Sequence, residues 1–432
     1  MILRCGPTKA SIPIRLCVPV LMLCFVLLGF ANPSPSPAFP RSAGVTNKEQ
    51  QNLLARAKAL HKRMITVDSH AGFTSDPLRS CGATDLQVDF PKMRKGGLNT
   101  VFFTVWAGQQ KRTPETYAEA QRQALAVFRG IHDIVRRCGD TVGLARTPGD
   151  VQRIVEGGKL AVVIGIENGF VMGKDLSLLK TYRELGAAYV GLVHDGHNDL
   201  ADSAQPSEEL VDKASEHRGV SKLGEQVIAE MNRLGIMIDV SHMSKEARLD
   251  AIRLSRAPVI DSHSCMHNLV NHPRNMDDET LTALAKKGGV IQITAVSTFV
   301  KSEPAEATEA FKALFHEFAV HTTSEAKRLP ADRRAEFQRR YAEMEKRWPL
   351  ATVSEFVDHI DHAVKVAGVD HVGIGSDFDG GGELTGWADA SETINITAEL
   401  LRRGYSEEDI RKIWGGNLLR VWREVQRRAE KQ

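Results

Sequence analysis

Eight short apolar segments alternate with longer amphipathic segments along the chain, and this alternation constrains the fold more than any other feature. The apolar segments are rich in Val, Ile and Phe, and the stretches between them carry Glu, Lys, Arg and Ala, as in repeated βα units. Few polar residues interrupt the apolar segments, which is typical of a parallel sheet covered on both faces. Eight units predict an α/β fold, a (β/α)8 barrel of the TIM type. The predicted strands are MITVDS, NTVFFTVW, KLAVVIGIE, AYVGLVH, GIMIDVSH, APVIDSH, GVIQITA and HVGIGSD.

Residues 302–349 do not follow this alternation. They come after the seventh predicted strand and contain EAFKALFHEFAVHTTSEAKRL and RRAEFQRRYAEMEKRW, which are typical of helices with charged, solvent-exposed faces. We therefore predict a helical insertion after strand 7, within one barrel domain that spans residues 48–428.

The N-terminal segment has the layout of a secretory signal. Arg4, Lys9 and Arg15 precede the apolar run LCVPVLMLCFVLLGFA, and a Pro/Ser-rich stretch follows it. We predict that residues 1–31 are a signal peptide or an uncleaved N-terminal anchor and that residues 32–47 are a linker. Because a membrane span needs about 20 apolar residues, we favour cleavage and export to a periplasmic or extracellular space.

Charge and cysteine content narrow the class of protein. The formal net charge is only +2, and no block of like charge stands out, which argues against a nucleic-acid partner. Three of the six cysteines lie in the N-terminal segment, so an exported chain keeps Cys81, Cys138 and Cys265 in an oxidising compartment. These allow one disulfide and leave one thiol. We favour Cys81 with Cys138, although the spacing leaves the connectivity open.

Side chains that bind metals or move protons stand at six of the eight predicted strand ends. In a barrel of this kind the C-terminal ends of the strands form the rim that carries the active site. One strand-end histidine is usually an ordinary hydrogen-bonding residue, but that explanation does not account for six such ends on one rim. The six residues are His70, Glu167, His194, His242, His263 and Asp377.

These residue types indicate a metal-dependent hydrolase. Neutral imidazole nitrogens and carboxylate oxygens suit zinc, and a carboxylate flanked by histidines can bridge two ions about 3.5–4 Å apart. Such a site hydrolyses a substrate by activating water and polarising a carbonyl, without a Ser or Cys nucleophile. The sequence contains neither a GxSxG elbow nor an HExxH helix, the marks of two common rival hydrolase classes.

Several ordered motifs together resemble the membrane (renal-type) dipeptidase family, a branch of the amidohydrolase-like metal-dependent barrels. The resemblance covers nearly all of the chain after the linker, from about Asn52 to Glu424, and it implies a barrel enzyme that hydrolyses small dipeptides. The motifs are GIENGF (165–170), GLVHDGHNDLADS (191–203), LGIMIDVSHMS (234–244), APVIDSHSCMHNLVNHPRN (257–275), HVGIGSDFDGG (371–381) and IWGGNLLRV (413–421).

The resemblance implies a ligand set for two zinc ions. Glu167 would be the carboxylate that bridges them, His242 and His263 would complete the shell of the second ion, and His70 would bind the first. It also implies catalytic roles for Asp377 as the proton shuttle and for His194 at the substrate carbonyl. Arg274, in HPRN, would bind the C-terminal carboxylate of the dipeptide through its planar fork.

The chain departs from the family at its first motif. The family pattern is His-x-Asp with both residues on the first metal, whereas HAG supplies His70 and then Gly72. We therefore expect one tightly bound zinc and a weaker second ion, unless Asp76 or water supplies the missing ligand of the first site. Side chains two apart in a strand face the same way, so an aspartate at position 72 is predicted to restore the ligand. A clash is the alternative if the pocket has closed around the glycine.

Three functions stay open from the sequence. The favoured one is an exported zinc dipeptidase acting on small dipeptides. The others are a catalytically impaired barrel that binds peptide-like ligands and an amidase acting on acylated amino acids. We expect contact with a membrane only through an uncleaved N-terminal segment, and both a monomer and a homodimer are compatible with the sequence.

Overall fold

The structure is a computed structural model that describes residues 47–73 and 80–429. The predicted signal or anchor (1–31), nearly all of the predicted linker (32–47) and Asp76 lie outside the described residues. None of the described helices combines the length and the apolar character needed to cross a membrane.

The described residues form one sheet of nine strands in which every pairing is parallel. Eight of them follow one another in the order β1-β2-β4-β5-β6-β7-β8-β9, and β3 pairs only with β4. The predicted α/β barrel is confirmed. The sequence pattern missed β3, whose segment carries no long apolar run. The strands are β1 (Val67–Gly72), β2 (Thr100–Trp106), β3 (Val142–Leu144), β4 (Leu160–Glu167), β5 (Ala187–Gly191), β6 (Met237–Asp239), β7 (Ile260–Ser264), β8 (Val290–Ile293) and β9 (Val372–Ile374).

Sixteen α-helices accompany these strands within the described residues. Several begin at side-chain caps, as where Thr352 and Glu355 form a reciprocal capping box at the start of the thirteenth helix. The helices are α1 (Asn47–His61), α2 (Phe90–Gly96), α3 (Pro114–Arg137), α4 (Pro148–Glu156), α5 (Ser177–Leu185), α6 (Lys222–Leu234), α7 (Lys245–Leu254), α8 (Asp278–Lys286), α9 (Ser297–Val300), α10 (Ala305–Phe318), α11 (Thr323–Ala326), α12 (Ala331–Arg347), α13 (Val353–Ala367), α14 (Ile394–Arg402), α15 (Glu407–Arg411) and α16 (Asn417–Ala429).

The sheet closes where β1 meets the chain just beyond β9. The Gly72 amide donates to the Phe378 carbonyl at 2.7 Å, and the Asp377 amide donates to the His70 carbonyl at 2.9 Å. The β1–β2 register shifts between Asp68 and Ala71. Closure therefore uses loop residues rather than a regular ladder, and it places Asp377 beside His70.

Strand side chains alternate between two apolar cores. Along β4, the odd-numbered Ala161 and Val163 pack inside the barrel with Trp422 of α16, whereas Val162 and Ile164 belong to the outer core beneath the helices. All eight residues of β4 are buried, as expected for a parallel strand covered on both sides. The alternation makes Glu167, the last odd residue of the strand, face inward at the rim.

The predicted insertion after strand 7 is also confirmed. Helices α10 to α12 follow β8, which is the seventh strand of the sequence prediction, and they carry a small core of their own that includes Leu314, Phe318 and Phe337. The favoured disulfide is present, since Cys81 is bonded to Cys138 at the end of α3. Cys265 is a buried free thiol.

Candidate metal centre

The predicted strand-end residues come together at the rim of the barrel. His70 and His263 lie within β1 and β7, and Glu167 ends β4. His242 and Asp377 each follow the last residue of their strand by three positions, and their φ angles are 62° and 59°. Non-glycine residues rarely adopt this left-handed conformation, and where they do it is often at functional sites.

Glu167 is the centre of this arrangement. Its carboxylate oxygens lie 3.0 Å from His242 Nε2, 3.4 Å from His263 Nε2 and 3.4 Å from His70 Nε2. His194, three residues beyond β5, places its Nε2 at 3.6 Å from the same carboxylate. Four imidazole rings therefore surround one carboxylate.

Three of the rings are held from behind through Nδ1. His70 Nδ1 lies 3.0 Å from the Tyr189 hydroxyl, which itself donates to the Ser69 carbonyl and so accepts from the ring. His242 Nδ1 lies 3.1 Å from an Asp195 carboxylate oxygen. These contacts hold a proton on Nδ1, so that Nε2, which faces Glu167, is the ring atom left to bind a metal.

The third ring is oriented through a hydroxyl. His263 Nδ1 lies 2.8 Å from the Ser262 hydroxyl, and that hydroxyl donates to Asp239 at 2.6 Å. Because the Ser262 proton is committed to Asp239, the hydroxyl oxygen accepts from the ring. The carboxylate thus fixes the ring through an intermediate group, as partners of metal-bound histidines commonly do.

A glycine makes room for the tyrosine that holds His70. A Cβ on Gly165 would lie only 2.1 Å from the nearest Tyr189 ring atom. Only a residue without a side chain at this point of β4 lets the ring lie across the barrel interior and reach His70.

Burial and neighbouring charges set the protonation of these groups. Burial favours a neutral Glu167, but His70 and the other imidazoles hold its pKa well below the usual range. Burial lowers the pKa of His194 to about 4 and holds that of His263 well below its usual range. Burial also opposes a charge on His70, yet the Glu167 and Asp377 carboxylates raise its pKa to about 9. The pocket therefore stabilises a positive charge among neutral rings.

The donor atoms fit a bound metal. Two sets of three side chains share Glu167, one with His70 and His263 and the other with His194 and His242, and the donor atoms of each set lie within 4.8 Å of one another. His242 Nε2 and His263 Nε2 are also only 3.0 Å apart, and two nitrogen lone pairs at this distance require a proton or a cation between them. Imidazole with carboxylate is the donor chemistry that zinc and similar ions prefer.

Asp377 and Arg274 lie beside this cluster. An Asp377 carboxylate oxygen is 3.6 Å from His70 Nε2, and burial raises the pKa of Asp377 to about 7. Arg274 is only 1% exposed, and its Nη2 donates to the His263 carbonyl at 3.2 Å. Within residues 47–73 and 80–429, its Nε and Nη1 have no hydrogen-bond partner. A buried guanidinium with two free donors is a site for an anion.

The space around Gly72 bears on the prediction that an aspartate there would restore a ligand. A Cβ at this position would lie 2.8 Å from the Asp379 carbonyl oxygen and 3.2 Å from the Gly380 amide nitrogen. Both contacts are with backbone, so a side chain does not fit without moving the loop after β9. The structure therefore favours the clash over the restored ligand as the effect of an aspartate at position 72.

Sequence reasoning missed the residues that support the rings from behind. Tyr189 and Ser262 lie inside strands that read simply as apolar runs. Trp106 is the last residue of the second predicted strand; it is 46% exposed on the rim and stands edge-on to His194 with 5.6 Å between ring centroids. Its place at a strand end of the predicted rim was the signal in the sequence.

Comparisons with known proteins agree with this geometry. The description "Membrane dipeptidase (Peptidase family M19)" belongs to the family model that matches residues 54–432. Dipeptidase tcpJ of Claviceps purpurea is 31% identical over 350 residues, which are 80% of this chain and 71% of that protein. The probable dipeptidase PvdM from Pseudomonas aeruginosa shares 34% sequence identity with this chain. Its crystal structure superposes with a TM-score of 0.76, and the match covers 88% of this chain and 99% of that one.

A more distant structure shares the fold. It is a metallo peptidase from Rhodobacter sphaeroides, liganded with a phosphinate mimic of the dipeptide L-Ala-D-Ala, with 23% identity and a TM-score of 0.65 over 84% of this chain and 99% of that one. Because the family model spans most of the sequence and the nearer relatives are dipeptidases by name, the chain belongs to the membrane dipeptidase family of metallopeptidases, peptidase family M19.

Proposed function

We propose that this protein is a zinc-dependent dipeptidase that hydrolyses the single peptide bond of small dipeptides. The observation that carries the proposal is the convergence of three Nε2 atoms on the Glu167 carboxylate at 3.0–3.4 Å, with each Nδ1 held by a partner. Preoriented imidazole nitrogens around an ionised carboxylate are what a hydrolytic metal site requires.

Glu167, His242 and His263 would hold the tighter zinc, and His70 with Glu167 would hold a weaker second ion. Zinc bound there would supply a Lewis acid for the scissile carbonyl and would lower the pKa of the attacking water. The asymmetry follows from Gly72, which offers no ligand and has no space for one.

The remaining residues would act on the substrate. Asp377 would accept the proton from the attacking water and deliver it to the departing amine, and a pKa near 7 suits a group that does both. His194, kept neutral by its burial, would donate an N–H to the carbonyl oxygen as negative charge develops there. Arg274 would bind the carboxylate of the C-terminal residue through its free donors.

The test is a paired assay on purified protein. Elemental analysis after equilibrium dialysis should give one tightly held zinc per chain, and the loaded protein should hydrolyse L-Ala-L-Ala or L-Ala-D-Ala. Asp377→Asn should keep the tight zinc and lose turnover, because an amide of the same shape cannot carry the proton. If the protein binds zinc but hydrolyses no dipeptide, it would be a barrel that binds ligands without catalysis. If it hydrolyses only acylated amino acids, it would be an amidase.

We also propose that the protein is exported and works in a periplasmic or extracellular space. The Cys81–Cys138 disulfide supports this, since such bonds persist in oxidising compartments. Fractionation of cells that produce the full chain, with N-terminal sequencing of the product, tests it. A cytosolic protein that starts at residue 1 would contradict the proposal.

A further inference from the structure

A cavity of about 980 Å³ lies beside the metal centre, between the barrel rim and the helical insertion α10–α12. Its volume is at the upper end of the roughly 300–1,000 Å³ that small-molecule sites occupy, so a dipeptide of two small residues would fill only part of it. Five of the side chains that line it are aromatic or large and apolar: Phe299, Phe311, Phe315, Tyr341 and Leu350.

The cavity is continuous with the residues proposed to bind the dipeptide. Phe299 forms part of its wall and also packs against Arg274, whose guanidinium carbon lies 5.5 Å from the ring centroid. Gly381 lines it as well, and a Cβ there would be 3.7 Å from an Asp377 carboxylate oxygen. The cavity therefore opens beside the proposed binding group for the C-terminal carboxylate and beside the proposed donor to the departing amine.

The substrate groups that Arg274 and Asp377 would contact belong to the same residue of the dipeptide. The carboxylate on Arg274 and the amine protonated by Asp377 are both parts of the C-terminal residue, so the side chain of that residue starts where the cavity opens. The roof is built by α10 and α12, through Phe311, Phe315 and Tyr341, whose rings pack against one another with centroids 5.5 Å and 6.2 Å from Tyr341.

We propose that the cavity under α10–α12 binds a bulky aromatic or apolar side chain on the C-terminal residue, so that the preferred substrates are dipeptides ending in such a residue. This inference rests on the proposed dipeptidase function. Burial of a Phe-sized side chain corresponds to about 10- to 100-fold in kcat/KM. Trp106 lies outside this cavity, on the His194 side of the rim.

The experiment compares zinc-loaded protein on L-Ala-L-Ala, L-Ala-L-Phe and L-Ala-L-Trp. We expect kcat/KM to be about 10- to 100-fold higher for the aromatic dipeptides. Inhibition constants of phosphinate analogues of Ala-Ala and Ala-Phe give a second readout that does not depend on turnover, and they should differ in the same direction.

Two variants fill the cavity, and one serves as a matched control. Thr308→Trp places an indole in the cavity from α10, and Ser302→Trp does so from an exposed position ahead of α10, where folding tolerates the change more easily. Ala313→Trp adds the same ring at an exposed position of α10 that does not line the cavity. The filling variants should lose the preference for Phe and Trp while keeping the rate on Ala-Ala, and the control should keep both.

The outcomes separate the inference from the function beneath it. No hydrolysis of any of the three dipeptides, with no binding of the phosphinates, overturns the proposed function. Hydrolysis with equal kcat/KM for small and aromatic dipeptides, or equal losses on all substrates in the filling variants, overturns the inference alone.

Discussion

Substitution of Gly72 by aspartate separates two accounts of the metal centre. The family pattern alone predicts that the new carboxylate adds a ligand beside His70, whereas the structure predicts a steric conflict. The Cβ would lie 2.8 Å and 2.9 Å from the carbonyl oxygen and carbon of Asp379. The same glycine donates its amide to the Phe378 carbonyl at 2.7 Å, which is part of the closure of the barrel.

The magnitude follows from what has to move. Relief of the contact requires a shift of the loop after β9, and overpacking of this kind typically costs about 1–3 kcal/mol of unfolding free energy. The thermal midpoint should therefore fall by a few degrees. Since Asp377 belongs to the same loop, its carboxylate should also move away from its place at 3.6 Å from His70 Nε2, and kcat should fall rather than rise.

The assay is differential scanning calorimetry, zinc stoichiometry and dipeptide turnover on three proteins in parallel. Gly72→Ala introduces the same Cβ without a carboxylate, so it should be destabilised to a similar extent. Gly82→Asp adds the carboxylate at an exposed position whose Cβ would meet only Ser80 Oγ at 3.6 Å, and it should match the wild type. A second tight zinc or higher turnover in Gly72→Asp, absent from Gly72→Ala, would refute the steric reasoning.

Three further predictions concern the cluster and the substrate. Glu167→Gln should lose the tight zinc. Zinc that binds the folded state raises the thermal midpoint, so added zinc should raise the midpoint of chelator-treated wild type but not that of the variant. An equal rise in both proteins would exclude Glu167 as a ligand. Arg274→Lys should lower kcat/KM by roughly 10- to 100-fold for dipeptides with a free carboxylate and much less for their amides, because lysine lacks the two-donor fork; equal losses would make Arg274 structural. Tyr189→Phe should weaken binding of the second zinc, the one assigned to His70 and Glu167, by about 10- to 100-fold in equilibrium dialysis, because it removes the partner of His70 Nδ1; an unchanged affinity would show that the ring needs no such support.

Much of the fold follows from local pattern. Eight strands and the inserted helices were predicted, because their apolar runs and helical periodicity are visible in consecutive residues. Strand β3 was missed because it is only partly buried and pairs with β4 alone, so its segment carries no long apolar run. The first strand was placed too early, since β1 runs to Gly72 and carries His70 inside it rather than at its end.

The chemistry of the rim could also be predicted from the order of residues along the chain. A parallel barrel brings the C-terminal strand ends together, so Glu167, the four histidines and Asp377 could be expected at one place from their positions alone. Their convergence required no knowledge of distant contacts. The resemblance to the dipeptidase family added roles for them, including the carboxylate-binding role of Arg274.

The pairing of these groups, in contrast, depends on contacts between distant parts of the chain. His263 lies with His70 as well as with His242, since its ring centroid is 3.8 Å from that of His70, and no spacing in the sequence encodes that choice. The support of His70 by Tyr189, the absence of space at Gly72 and the cavity under α10–α12 each depend on residues more than a hundred positions apart, or on a loop packed against a strand. Such contacts arise from the closure of the barrel, which fixes three-dimensional distances that a linear pattern does not contain.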